Sequence, residues 1–111
     1  MPKGTYLGAF EQHVLTALLR LRDNAYGVTV RREIMELTGR DVAVGAIYAT
    51  LDRLEAKGYV SSRLGEATPE RGGRAKRYFI IEAPGAKALE ESWRMSDRMR
   101  QGVAPAGVLG Q

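Results

Sequence analysis

Apolar residues recur every three or four positions through three successive segments, and the pattern then changes to two short runs typical of β-strands. The helical segments are Leu7 to Leu21, Tyr26 to Leu37 and Val44 to Lys57. The strand-like runs are Tyr59 to Leu64 and Arg77 to Ile81. Pro84 is tolerated in the first turn of a helix, so we expect a last helix from there to about Gln101.

The order of three helices, two strands and a helix predicts a mainly α (α+β) fold, namely a winged helix-turn-helix with a two-stranded wing. We expect a flexible N-terminus at residues 1–6 and a winged helix DNA-binding domain at 7–82. A C-terminal dimerisation helix at 83–101 and a disordered tail at 102–111 would follow. A chain of 111 residues holds one modest core, so dimerisation would add stability.

Composition excludes several classes of function. There is no cysteine and His13 is the one histidine, so the chain has no disulfide, thiol nucleophile or histidine metal cluster, and we predict no cofactor. No paired acids, Ser/His/Asp set or phosphate loop stands out, which argues against an enzyme. No apolar run approaches the roughly 18 residues that span a bilayer. We therefore expect a soluble, cytoplasmic protein with no membrane partner.

The third helix has a surface suited to the major groove of DNA. Its core stripe is predicted to be Val44, Ile47, Leu51 and Leu54. The opposite face is small at first and basic later, and it comprises Gly45, Ala46, Ala49, Thr50, Arg53 and Lys57. Small side chains let a helix approach the base edges closely, while Thr50 and Arg53 offer groups to bases or phosphates. Tyr48, between the two faces, is predicted either to pack or to extend its hydroxyl to a phosphate.

The loop joining the two strands carries a cluster of positive charge. Arg71, Arg74, Lys76 and Arg77 occur together with two glycines and without an acid, and four charges equal the net charge of +4. Such a loop suits a wing that contacts the DNA backbone or minor groove, although a solvated charge run is the alternative. Arg31 and Arg32 are left open between phosphate contacts and internal ion pairs.

The last helix carries an apolar stripe that its own small domain has little surface to cover. The stripe comprises Leu89, Trp93 and Met99, with Ser96 at the same helical spacing, and Phe10, Tyr6 and Leu7 are candidate partners for it in a dimer interface. Trp93 either packs in that interface or, with its symmetry mate, forms a stacking platform for a planar aromatic ligand. The residues do not identify such a ligand.

Two blocks of sequence resemble PadR-type transcriptional regulators of the compact branch, which has a single C-terminal helix. The first, residues 45–60, has the pattern Gly-x-x-Tyr, then Leu-x-x-Leu-Glu, then glycine with two apolar residues. The second, residues 72–80, is similar to the family's wing, and Tyr26-Gly27 also matches. The family's usual threonine before the last helix is absent from Glu82-Ala83-Pro84-Gly85, where Pro84 can open the helix itself.

The resemblance implies a homodimeric repressor that binds double-stranded DNA at a near-palindromic operator, with Tyr26 among the contact residues. Some compact members bind flat aromatic compounds between their subunits and then release DNA. In those members a tryptophan occupies the place of Trp93, within a context similar to Glu91-Ser92-Trp93. A winged helix used only for protein–protein contact is the alternative function, although such modules usually lack a basic wing.

Overall fold

The computed structural model describes residues 6–65 and 75–110, and within them it confirms the predicted order of elements. The helices are α1 (Ala9–Leu21), α2 (Gly27–Thr38), α3 (Val44–Ala56), α4 (Ala83–Arg100) and the short α5 (Ala106–Leu109). A 3-10 turn, Arg22–Asn24, links α1 to α2. The strands are β1 (Val60–Leu64) and β2 (Arg77–Ile81), so the fold is mainly α with a two-stranded wing.

A glycine follows the last turn of α2 and of α3. Gly39 has φ of 72° and Gly58 has φ of 79°, the left-handed region in which side chains are disfavoured. The amide of Gly39 donates to the carbonyl of Met35 at 2.9 Å, which closes the last turn of α2. The ends of both helices of the helix-turn-helix unit are therefore set by glycines in the left-handed conformation.

The hairpin is hydrogen-bonded to the turn that precedes α2. Strands β1 and β2 pair antiparallel, with Val60 opposite Ile81 and Leu64 opposite Arg77. The Phe79 amide donates to the carbonyl of Ala25 at 2.9 Å, so β2 also bonds to the turn before α2. This bond fixes the base of the wing beside the helix-turn-helix unit.

One core joins α1, α2, α3 and the start of α4 to the hairpin. Its largest fully buried side chains are Phe79, Leu15, Ile47, Leu51, Leu54 and Leu89. Strand β2 contributes Phe79 from the middle of the hairpin, so the hairpin and α3 share the same apolar core. Full burial of one such side chain stabilises the fold by about 1.5–3 kcal/mol.

Helix α4 packs closely at its start and is exposed at its end. A Cβ at Gly85 would lie 2.2 Å from the carbonyl oxygen of Tyr59, so only glycine permits this approach. Leu89 is buried beside α1, whereas Trp93 and Met99 have exposed fractions of 43% and 76%. No helix in the described part of the chain is long and apolar enough to span a membrane.

Two residues that the sequence places in a dimer interface lie in the core instead. Leu89 and Leu7, expected in a dimer interface, have exposed fractions of 1% and 8% and pack in the core of their own domain. Leu89 is buried because α4 packs against α1. The tail, expected to be disordered, contains the helical turn α5, whose residues are all exposed.

Candidate nucleic-acid interface

The first turns of α3 present an open surface, as the sequence predicts. Gly45, Ala46 and Ala49 are all exposed, and a Cβ on Gly45 would meet no atom within 4 Å. Val44, predicted in the core stripe, is 40% exposed because it lies in the first turn, beyond the edge of the core. The start of α3 is therefore flat and small enough for close approach to base edges.

The prediction that Thr50 lies on this exposed surface is wrong. It is 2% exposed, because it lies three residues after Ile47 and four before Leu54 and therefore shares their buried face. Its Oγ1 accepts a hydrogen bond from Nη2 of Arg53 at 3.1 Å. Thr50 holds the exposed Arg53 side chain and cannot itself reach a base.

Tyr48 is half-buried and packs against the start of α2. A Cβ on Gly27 would lie 2.5 Å from both Cζ and the hydroxyl oxygen of Tyr48, so the ring occupies the space that glycine leaves open. The ring also packs against Phe79, with centroids 6.5 Å apart. The contact between Gly27 and Tyr48 thus joins the Tyr26-Gly27 motif to the Gly45-x-x-Tyr48 motif and orients α3 on α2.

Two cations and two aromatic rings form what we term the wing stack, which comprises Lys76, Tyr26, Tyr78 and Arg63. The ammonium of Lys76 lies 4.6 Å from the centroid of the Tyr26 ring, which meets Tyr78 edge-on at 5.4 Å. The guanidinium carbon of Arg63 lies 5.0 Å from the Tyr78 centroid. Both cations remain exposed, so the rings hold two positive charges at the wing surface.

Arg63 is a site residue that was not predicted, although the sequence contains a signal for it. Residues two apart on a strand share a face, and Tyr78 lies opposite Arg63 in the hairpin register. That register depends on the bounds of both strands, which are predicted to within one residue. Strand alternation would therefore have placed Arg63 over Tyr78.

Arg77 is engaged internally, contrary to the prediction that it faces DNA. Its Nη1 donates to Asp52 at 3.1 Å, its Nη2 donates to Glu55, and its Nε donates to the Ser62 hydroxyl at 3.1 Å. Asp52 and Glu55 lie on α3, so the guanidinium bridges the recognition helix and the hairpin. Arg74, the remaining predicted wing contact, lies outside the described residues, as does Arg71.

The two arginines of α2 have different surroundings. Arg31 donates from Nε to the Val42 carbonyl at 2.6 Å and pairs with Asp41 at 3.0 Å. Arg31 therefore stabilises the connection between α2 and α3 through an internal ion pair, one of its two expected alternatives. Arg32 is exposed.

A groove lies between α1 and α2, with Trp93 of α4 at its border. Its volume is about 260 Å³, and Ala17, Ile34, Leu37 and Trp93 supply its apolar walls. Arg20 and Glu33 form an ion pair of 2.6 Å within the same lining. Of the other predicted interface residues, Ser96 is exposed and Phe10 is half-buried. Among the described residues, no cluster of histidine and acidic side chains could hold a metal ion.

Comparison with solved structures supports the same fold. The TA0346 protein of Thermoplasma acidophilum is 22% identical with a TM-score of 0.69, and the match covers 82% of each chain. A PadR family transcription regulator of Clostridium difficile is 21% identical with a TM-score of 0.66, covering 84% of this chain and 95% of the other. RosR of H. salinarum is 26% identical with a TM-score of 0.66, and the match covers 88% of this chain and 81% of the other.

The comparison with curated proteins found no match. The comparison with protein families found one over residues 14–91, well over half of the chain. The matched region includes α2, α3 and both strands, which carry the exposed α3 surface and the wing stack. Nothing in the comparisons points to an enzyme. The chain belongs to the Transcriptional regulator PadR-like family, and it is a DNA-binding regulator of transcription.

Proposed function

We propose that this protein is a homodimeric repressor that binds a near-palindromic operator in double-stranded DNA. The observation that carries the proposal is the open strip of Gly45, Ala46 and Ala49 on α3, next to the exposed cations of the wing. In this arrangement α3 enters the major groove, while Arg53 and Lys76 contact bases or phosphates beside it. Tyr26 supports Lys76 through its ring and hydroxyl, the latter 3.4 Å from the ammonium. Binding over a promoter would exclude polymerase.

Dimerisation is proposed through the outer half of α4. Beyond Ser92 the helix exposes Trp93 and Met99, and the following residues expose Val103, at 66%. Apolar groups gathered on one protruding element mark a protein interface. Two copies joined there would place two α3 helices on one face of a duplex, with half-sites about 34–36 Å apart.

The DNA-binding proposal is tested by fluorescence anisotropy with DNA from upstream of the protein's own gene, at two salt concentrations, against a scrambled duplex of equal length. We expect tighter binding to the upstream duplex, with affinity that falls as salt rises. Equal binding to both duplexes, or no binding at low salt, would contradict the proposal. The second result would favour a winged helix that contacts only protein.

The dimer is tested by sedimentation of Met99→Lys, with Val28→Lys as the matched control. Both residues are exposed apolar side chains, at 76% and 49%, but Val28 lies on α2. We expect the α4 variant alone to shift the protein toward monomer, because it would bury a charge in the interface. A wild-type monomer at all concentrations would exclude the dimer.

A ligand that releases DNA is a second candidate function, favoured by the exposed Trp93 ring beside an apolar groove. A planar aromatic compound would stack on Trp93 and fill apolar space near it. Trp93 is the one tryptophan of the chain, so its fluorescence reports binding directly. Titration with planar aromatic dyes should quench this fluorescence and weaken DNA binding together. Quenching without any loss of DNA affinity would remove the regulatory role.

A further inference from the structure

Arg77 lies at the centre of a cluster that joins three elements of the fold. The cluster, which we term the wing latch, comprises Arg77 on β2, Ser62 on β1, and Asp52 and Glu55 on α3. Three different nitrogens of the guanidinium donate to three different side chains. Ser62 in turn donates from Oγ to Glu55 at 2.8 Å, which closes the cluster.

The guanidinium is also bounded by the core. Its central carbon lies 4.7 Å from the centroid of Phe79, a ring with no exposed surface. The planar group is thus held on one face by an aromatic ring and along its edges by oxygen acceptors. Lysine cannot reproduce such an arrangement, because its ammonium is a single compact charge.

This geometry is unfavourable for a phosphate contact. If Arg77 turned toward DNA, the carboxylates of Asp52 and Glu55 would lose their cation beside the α3 surface. Two uncompensated negative charges would then lie near the phosphates. The side chain of Asp52 is 60% exposed, so this repulsion would act directly at the interface.

We propose that the wing latch is a positioning device: it fixes the wing relative to α3 and masks two acids at the DNA-binding surface. This inference rests on the proposed DNA-binding function and adds a role for four residues in it. With the latch closed, the α3 strip and the wing cations bind as one preformed surface. With it open, ordering the wing costs affinity at each binding event.

The test compares the DNA affinities of Glu55→Ala, Arg77→Ala and Arg77→Lys. Removing Glu55 raises the net charge by one, so electrostatics alone predicts tighter binding. The latch predicts the opposite, a loss of DNA affinity of at least about fivefold. The members of one hydrogen-bond and ion-pair network are energetically coupled, so removing Glu55 would also weaken the hold of Arg77 on the wing. Glu36→Ala, an exposed acid on α2 with the same charge change, is the matched control and should not weaken binding.

Arg77→Lys separates positioning from phosphate contact. Lysine keeps the positive charge but cannot make the hydrogen bonds to three side chains. We therefore expect the Arg77→Lys variant to bind DNA almost as weakly as Arg77→Ala. Rescue by lysine, or tighter binding by Glu55→Ala, would show an ordinary phosphate contact and overturn the latch while leaving the DNA-binding function intact.

A measurement on the DNA-free protein tests the wing latch independently of the DNA-binding proposal. Heteronuclear NOE values for the amides of β1 and β2 in the free protein report the order of the hairpin. We expect lower values in Glu55→Ala and Arg77→Lys, and unchanged values in Glu36→Ala. Unchanged values in the first two variants would overturn the latch, whether or not the wild-type protein binds DNA.

Discussion

Replacing Gly27 with alanine tests whether the Tyr48 ring sets the packing of α3 on α2. The new Cβ would lie 2.5 Å from Cζ and the hydroxyl oxygen of Tyr48, well inside van der Waals contact. The ring cannot move without loss, because it also packs against the fully buried Phe79. The substitution therefore disturbs the joint between the two helices of the helix-turn-helix unit.

The expected magnitude follows from two opposing effects. Overpacking of this kind costs about 1–3 kcal/mol. Alanine has a higher helix propensity than glycine, worth at most about 1 kcal/mol and less at the first residue of a helix. We therefore expect Gly27→Ala to lower the free energy of unfolding by about 1–2 kcal/mol.

Urea unfolding at one fixed protein concentration gives the measurement, with Tyr48→Leu and the double variant completing a mutant cycle. Without the ring, alanine at position 27 should be neutral or slightly stabilising. Gly45→Ala is the matched control for glycine replacement near the start of a helix, since no atom lies within 4 Å of its Cβ position. An equal loss from Gly27→Ala with and without the ring would refute the reasoning.

Three further outcomes are expected. Gly45→Ala should raise the unfolding free energy by about 0.5 kcal/mol, yet weaken DNA binding in anisotropy titrations because it adds a methyl to the α3 strip; unchanged affinity would argue against close approach there. Gly85→Ala should lower stability by about 2–4 kcal/mol in thermal unfolding, because its Cβ would lie 2.2 Å from the Tyr59 carbonyl oxygen; a stable variant would contradict this. Lys76→Ala should reduce the slope of log affinity against log salt by about 0.9, one phosphate contact, equally for all duplexes; an unchanged slope would exclude that contact.

The sequence predicted the fold well because its signals are local. Helix periodicity, the left-handed glycines at 39 and 58, and the strand composition of β2 each depend on a few neighbouring residues. Strand β2 was placed at its observed bounds, and α1 and α3 differ from their predicted bounds by only one or two residues at an end. The short α5 has four residues, all exposed, which are too few to show a helical period in the sequence.

The candidate site was predicted less well because its geometry is not local. Arg77 appeared to belong to a basic cluster, but the acids that engage it lie on α3, more than twenty residues earlier. Thr50 appeared exposed because it is polar, although its spacing from Ile47 and Leu54 places it on the buried face of α3. Leu89 appeared free for a partner because the sequence does not show how far α4 lies along α1.

Thiol protection at position 49 tests most directly whether the α3 surface meets DNA. The chain has no cysteine, so Ala49→Cys places one thiol on the exposed strip, and Lys87→Cys places one on α4. Operator DNA should slow maleimide labelling many-fold at position 49 and leave position 87 unchanged. Equal labelling rates at position 49 with and without bound DNA would contradict this account.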